Sequence, residues 1–319
     1  MSVPRGPARI EINEVAPRDG LQIEPVVVPT DAKVAFLDAL SACGFARIEA
    51  TSFTSAKAIP ALADAEAVMH RMRRLAGVRY TALVPNLRGM ERALSCRPDE
   101  LNLVMSASET HNRANLRMTR AQSQAQLLAM IEVAGAAGVP VNVSLSTVFG
   151  CPFEGEVEAD AVMALAGAFA KAGAAGITLC DTTGMAYPSQ VAALCQRFRQ
   201  SLPQAGLTIH LHNTRGMGLA NALAAWQAGV TRFDAAAGGL GGCPFAPGAS
   251  GNVGTEELVH MFEAMGVDTG VDLGRLLGVV AGLPALVGRD IASQLLRAGP
   301  RLRTHQPPAW LAAHFAGQG

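Results

Sequence analysis

Ile10-Glu11-Ile12-Asn13-Glu14-Val15, followed at once by Ala16-Pro17-Arg18-Asp19-Gly20, decides the fold. With Ile10, Ile12 and Val15, the first six residues form a short β-prone stretch. An open, doubly wound sheet would place a glycine-rich phosphate-cradling turn directly after such a strand. Here the turn carries an Arg-Asp pair and a single glycine at its end. The fold that shares the βα alternation without that turn is the closed (β/α)8 barrel, and its active site gathers polar side chains at the C-terminal strand ends.

Working outward, seven more β-prone stretches follow: Arg47–Ala50, Arg79–Leu83, Leu101–Met105, Val141–Leu145, Ile177–Leu179, Thr208–Leu211 and Thr231–Asp234. Ala-rich segments with helical apolar spacing lie between most of them, at Asp31–Ala42, Pro60–Arg74, Thr119–Ala137, Glu158–Ala172, Ser189–Gln200 and Leu219–Ala228. Gly44, Gly77, Gly138, Gly173 and Gly229 stand where a left-handed helix C-cap is expected before the next strand. The rhythm predicts a single TIM-barrel domain over residues 1–319. Within it, residues 235–319 form a long loop and a C-terminal helical extension, with helices at Glu256–Met265, Leu273–Gly282 and Asp290–Arg297 and a final turn at Ala309–Phe315.

Composition excludes several functions. Half of the 319 residues are hydrophobic, too many to stay solvated as a disordered chain. Lys plus Arg and Asp plus Glu are 26 each, so no basic face for nucleic acid is implied. No apolar run approaches the roughly 18 residues of a membrane span, and the N-terminal residues carry no hydrophobic signal segment. A cytoplasmic protein is expected. The six cysteines match no paired zinc spacing and are too sparse for a disulfide scaffold.

The barrel rule makes a test, because polar residues should collect after the strands. Arg18 and Asp19 follow the first strand, Glu49 the second, Asn86 the third, Ser106 and Ser108 the fourth, Asp181 the sixth. His210 and His212 end the seventh and, two apart on a strand, share a face. They read as a metal clamp, or as one structural and one solvent-facing histidine. Asp19 is the natural third ligand across the mouth and Asn252 can add an amide oxygen. Such a mixed N/O set suits Mg²⁺ or Mn²⁺. Arg18 could brace an oxyanion or form a surface pair. Glu49 and Asp181 read as acid–base groups or as supports that need a charged partner. Cys243, behind four glycines, reads as a proton carrier on a mobile loop or as a packed thiol. Cys180, in a strand, reads as packing.

Two of these stretches carry a resemblance. Glu14-Val15-Ala16-Pro17-Arg18-Asp19-Gly20-Leu21-Gln22 resembles the opening motif of the 3-hydroxy-3-methylglutaryl-CoA lyase family. Residues 239–252, Gly-Leu-Gly-Gly-Cys-Pro-Phe-Ala-Pro-Gly-Ala-Ser-Gly-Asn, resemble its signature loop. The likeness runs over about residues 9 to 297, and the wider superfamily includes homocitrate and isopropylmalate synthases. It implies a metal-dependent barrel in which Asp19, His210, His212 and Asn252 match the metal ligands. Arg18 matches the arginine that steadies a thioester enolate, and Cys243 matches the catalytic loop cysteine. Glu49, Asp181 and Glu256 match active-site carboxylates, and Ser52 matches a polar residue near the substrate.

The resemblance implies retro-Claisen cleavage of an acyl-CoA to acetoacetate and acetyl-CoA by a homodimer. Arg113 and Arg117 are candidate rim contacts for CoA, and His210 a candidate base. Departures fall around the mouth: Asn213 where the family pattern has Asp, Ile23 and Pro25 in place of Asn and Lys, and Cys180 in place of Gly. A citramalyl-type or longer-branched 3-hydroxyacyl-CoA is the alternative substrate, and a condensing synthase of the same superfamily the alternative enzyme.

Overall fold

Eight parallel strands close on themselves in the computed structural model, which describes residues 6–242, 251–308 and 310. They are β1 (Glu11–Glu14), β2 (Arg47–Ser52), β3 (Arg79–Leu83), β4 (Glu100–Ser106), β5 (Val141–Ser146), β6 (Gly176–Asp181), β7 (Gly206–Leu211) and β8 (Arg232–Ala235). Closure is made by β1 pairing with β8, Asn13 opposite Asp234. The protein is therefore a (β/α)8 barrel, as the rhythm of the sequence predicts.

The strands are polar for buried strands, and the alternation explains it. Leu207, Ile209 and Leu211 belong to the apolar core, as do Phe233 and Ala235. The residues between them, Thr208, His210 and Asp234, are buried and polar. One side of each strand packs under the helices while the other fills the barrel. That interior is a hydrogen-bonded lattice below the mouth: Asn142 Nδ2 donates to Asn102 Oδ1 (3.0 Å) and Thr178 Oγ1 (2.9 Å), and Ser144 Oγ donates to Asn102 Oδ1 (2.9 Å). Buried polar groups are tolerated when they are paired in this way.

The outer helices are α1 (Thr30–Ser41), α2 (Ala65–Arg71), α3 (Leu87–Ser95), α4 (Glu109–Leu116), α5 (Arg120–Ala136), α6 (Ala159–Lys171), α7 (Pro188–Ser201) and α8 (Gly218–Gln227). The five predicted C-cap glycines all take positive φ. Sequence reading misses α3 and α4, which are short and rich in charge and amide. Both announce themselves by caps. Asn86 Oδ1 accepts from Gly89 N at 2.9 Å, and Ser108 Oγ accepts from His111 N at 3.2 Å. Asn86 and Ser108 are thus helix starts. The segment Pro60–Arg74 divides into a 3₁₀ turn at Pro60–Leu62 and α2.

Beyond β8 lie α9 (Thr255–Ala264), α10 (Leu273–Val287) and α11 (Gln294–Ala298). The tenth runs on through Pro284, past its predicted end at Gly282. Phe262 of α9 packs its ring 5.3 Å from Phe233, which seats the extension on the barrel wall. The expected turn at 309–315 lies outside the described residues except for Trp310. No helix among the described residues is long and apolar enough to cross a membrane.

Candidate active site

After β1 the chain makes a single π-helical turn, Ala16–Gly20, in which Arg18 N, Asp19 N and Gly20 N all bond to Val15 O. Pro17 suits this tight start because it needs no amide donor there. The turn carries Arg18 and Asp19 into the mouth. Glu14, fully buried beneath it, accepts from Ala16 N (2.8 Å), Ala237 N (3.0 Å) and Thr255 Oγ1 (2.8 Å). It ties the end of β1 to the root of the loop after β8. Burial pushes Glu14 up to about 7 despite these donors.

Arg18 is the hub of charge. Its Nε and Nη2 lie 2.6 and 2.5 Å from Glu49 Oε2, and its Nη1 lies 2.5 Å from Asp19 Oδ1. Glu49 is held from its other side by Asn102 Nδ2 at 2.8 Å. Burial pushes Glu49 up from its ordinary value against the pull of Arg18. Burial likewise works against the Arg18 cation, yet Glu49 and Asp19 outweigh it and hold the guanidinium charged. Burial would raise Asp19 too, but Arg18 and the two histidines hold it at about 2.

His210 and His212 face the same space, Nε2 to Nε2, at 3.1 Å. With Asp19 they place one ligand atom each within 4.8 Å of one another. The loop after β8 returns antiparallel to the end of β7, His212 bridging to Asn252, with Val253 N donating to Leu211 O at 3.0 Å. That return brings Asn252 to the cluster, where its Nδ2 donates to Asp19 Oδ2 at 2.7 Å. A side chain at Gly241 would strike Asn252 Nδ2 at 2.6 Å, so glycine there lets the loop close over the amide.

These four residues fit a divalent cation. Asn252 Oδ1 is buried with no hydrogen-bond partner among the described residues. The 3.1 Å between imidazole nitrogens is the spacing of adjacent octahedral corners about 2.1 Å from a shared ion. The donor set of two imidazoles, a carboxylate and an amide oxygen excludes the thiolate pattern of structural zinc.

Glu49 lies beneath Arg18, outside the cavity lining. Asp181 is buried; its Oδ1 accepts from Met185 N (2.7 Å) and Ala186 N (3.1 Å), so it braces the loop after β6, and burial lifts it to about 6. Ser52 is buried behind Thr54, with which it shares a 2.8 Å hydrogen bond. Glu256 Oε2 accepts from Gly238 N at 3.0 Å and holds the root of the loop after β8. Arg113 pairs with Glu109 on the exposed face of α4, and Arg117 is its exposed left-handed cap. Neither arginine lines the cavity, whereas His111, Asn115 and Leu116 on the same helix do. Cys243 lies outside the described residues.

The cavity above the cluster has a volume of about 400 Å³, the size of a small-ligand site. Ile23, Ile59, Leu83, Val104 and Leu116 give it apolar walls. Cys180 also lines it, across from His210 in register, so it is more than wall packing. Two groups are given no role by sequence reading: His111, which it notes only as a departure at the rim and whose Nδ1 lies 2.6 Å from Ser106 Oγ, and Asp234, a carboxylate at a barrel-facing position of β8. The signal for Asp234 was a charge between two apolar residues of a short strand.

Comparison with known proteins agrees with this geometry. The HMGL-like family model matches residues 9–281. The chain is 43% identical over 301 residues to the (R)-citramalyl-CoA lyase of Chloroflexus aurantiacus, covering 91% of this chain and 95% of that one. It is also 43% identical to the hydroxymethylglutaryl-CoA lyase YngG of Bacillus subtilis, covering 91% and 97%. Among solved structures, an HMG-CoA lyase from Acinetobacter baumannii in complex with coenzyme A and 3-methylmalate superposes with a TM-score of 0.91. The identity is 50%, with 94% of this chain and 98% of that one covered.

Proposed function

The chain belongs to the HMGL-like family of carbon–carbon lyases, and from that premise we propose that it cleaves 3-hydroxy-3-methylglutaryl-CoA to acetoacetate and acetyl-CoA. The observation that carries this reading is the convergence of Asp19, His210, His212 and Asn252 beside Arg18 in one barrel mouth. Family members are divalent-metal-dependent, and Mg²⁺ or Mn²⁺ is the ion these donors suit. When bound, the ion supplies Lewis acidity toward the substrate's C3 hydroxyl and carboxylate oxygens.

The chain's own groups do the rest. Asp19, His210, His212 and Asn252 hold the ion. His210 Nε2 belongs to that set and its Nδ1 faces Asp234, so the proton of the C3 hydroxyl leaves to a water beside Asp19. The C3 oxygen becomes a carbonyl, the C2–C3 bond breaks, and its electron pair passes into the thioester as an enolate. Arg18, braced by Glu49, presents its fixed donor fork to the enolate oxygen. Cys243 delivers a proton to C2, giving the acetyl methyl group. CoA extends outward past α4, and the active species is a homodimer.

A second reading is favoured by the equal identity to the citramalyl-CoA lyase and by the apolar Ile23 at the cavity. In it the carboxylate sits on the carbinol carbon and the products are pyruvate and acetyl-CoA. Incubation with both thioesters, with Mg²⁺, Mn²⁺ or chelator, separates the readings by product mass. Metal-dependent acetoacetate release supports the first, and pyruvate the second. Undiminished cleavage in chelator would defeat both.

A further inference from the structure

We propose that Asp234 is a positioning residue that fixes which nitrogen of His210 carries its proton and so aims the other at the metal centre. The proposal rests on the metal-centre reading above and concerns a residue on the opposite side of the imidazole from the cluster.

Three neighbouring strands put one residue each into a single layer of the barrel. Asp234 of β8 stands in register with Asn13 of β1 on one side and with His210 of β7 on the other. The side chains connect along that layer. Asn13 Nδ2 donates to Asp234 Oδ1 at 2.9 Å, and Asp234 Oδ2 lies 3.2 Å from His210 Nδ1. Asp234 and His210 are both buried. An ionised carboxylate only accepts, so Nδ1 carries the hydrogen, and the lone pair of Nε2 points to His212 and Asp19. Asn13 closes the carboxylate's rotation from the far side. His212 is built differently, because its Nδ1 is buried with no hydrogen-bond partner among the described residues. Of the two imidazoles, only His210 is held from behind among the described residues. Such outer partners set ligand tautomer and basicity.

Asp234→Asn tests this with almost no change of shape. With the Asn13 NH₂ kept toward this position, the new amide turns its oxygen to Asn13 and its own NH₂ to His210, so Nδ1 accepts and the ring proton moves to Nε2. Titration of chelator-stripped protein with Mn²⁺ should show affinity about 10- to 100-fold weaker. The reciprocal double variant Asn13→Asp with Asp234→Asn restores the pattern, since the amide now donates to the new carboxylate and accepts from His210. Its affinity should return to within a few-fold of the starting protein. A residue that merely fills the barrel predicts no such rescue.

Imidazole ¹⁵N spectra of the unsubstituted protein, metal-free at pH 9, provide a reading independent of how any variant folds. The His210 proton on Nδ1 supports the proposal, and a proton on Nε2 overturns it. Loss of affinity in Asp234→Asn without rescue in the double variant also overturns it. A starting protein that takes up no Mn²⁺ defeats the metal-centre reading instead, and the ¹⁵N spectrum still decides for Asp234.

Discussion

Asn252 donates to Asp19 Oδ2 at 2.7 Å while its own amide oxygen stays buried and unpartnered. The two residues stand 233 positions apart in the chain, and this contact joins the turn after β1 to the loop after β8 at the point where the ligand atoms converge. Asn252→Ala should therefore weaken Mn²⁺ binding by about 10-fold or more, on the scale seen when groups that support a metal site are lost. Calorimetric titration of the chelator-stripped protein checks this, and the melting temperature in chelator should change much less.

Arg18 carries two loads, and they can be separated. Arg18→Gln should lower kcat by about 100- to 1,000-fold, the range for losing a transition-state donor. It should also destabilise the fold by about 3–5 kcal/mol, because Glu49 is left as an uncompensated buried charge. Combining it with Glu49→Gln should recover much of the stability and none of the activity. Denaturant unfolding beside turnover reads both.

Glu14 predicts a pH dependence of stability. Its folded pKa of about 7 lies above the usual 4.5, so the folded chain keeps a proton that the unfolded chain has released. The resulting stabilisation is complete below about pH 4.5 and drains away as pH rises through 7. Glu14→Gln removes this titration and keeps acceptors for Ala16 N and Ala237 N. Melting curves in chelator from pH 5 to 8.5 should fall more steeply for the unsubstituted protein than for the variant. Parallel curves would refute the buried-proton account.

Cys243→Ala should cut turnover by about 100-fold or more, the contribution of a positioned proton donor. Metal content, measured by atomic absorption, should stay the same. Wild-type turnover would remove the thiol from the chemistry.

Much of this was legible in the sequence, for reasons that vary by residue. The glycine C-caps and the count of eight β-prone stretches with helical segments between them expose the barrel, because a left-handed cap favours glycine and parallel strands need crossovers. His210 and His212 stand out because two imidazoles on one strand face are costly without a purpose. Asp234 did not stand out, since its meaning comes from Asn13, 221 residues away in the chain, and only barrel closure makes them neighbours. Asn86 and Ser108 misled in the other direction. Their amide and hydroxyl were spent on starting helices, and a short polar residue after a strand looks the same in either role. The helices they begin, α3 and α4, were missed for the same reason.

The amide lattice of Asn102, Asn142, Ser144 and Thr178 constrains how this protein can change. Each member serves at least one other, and Asn102 also steadies Glu49 beneath Arg18. Altering one strands its neighbours, so the floor can drift only by concerted exchange. On the cavity-facing side of α4, His111 is tied to Ser106, while Ala114 and Leu116 line the space as plain apolar surface. Divergence in acyl preference is thereby channelled to the helix beside the mouth, above a foundation inherited as a block.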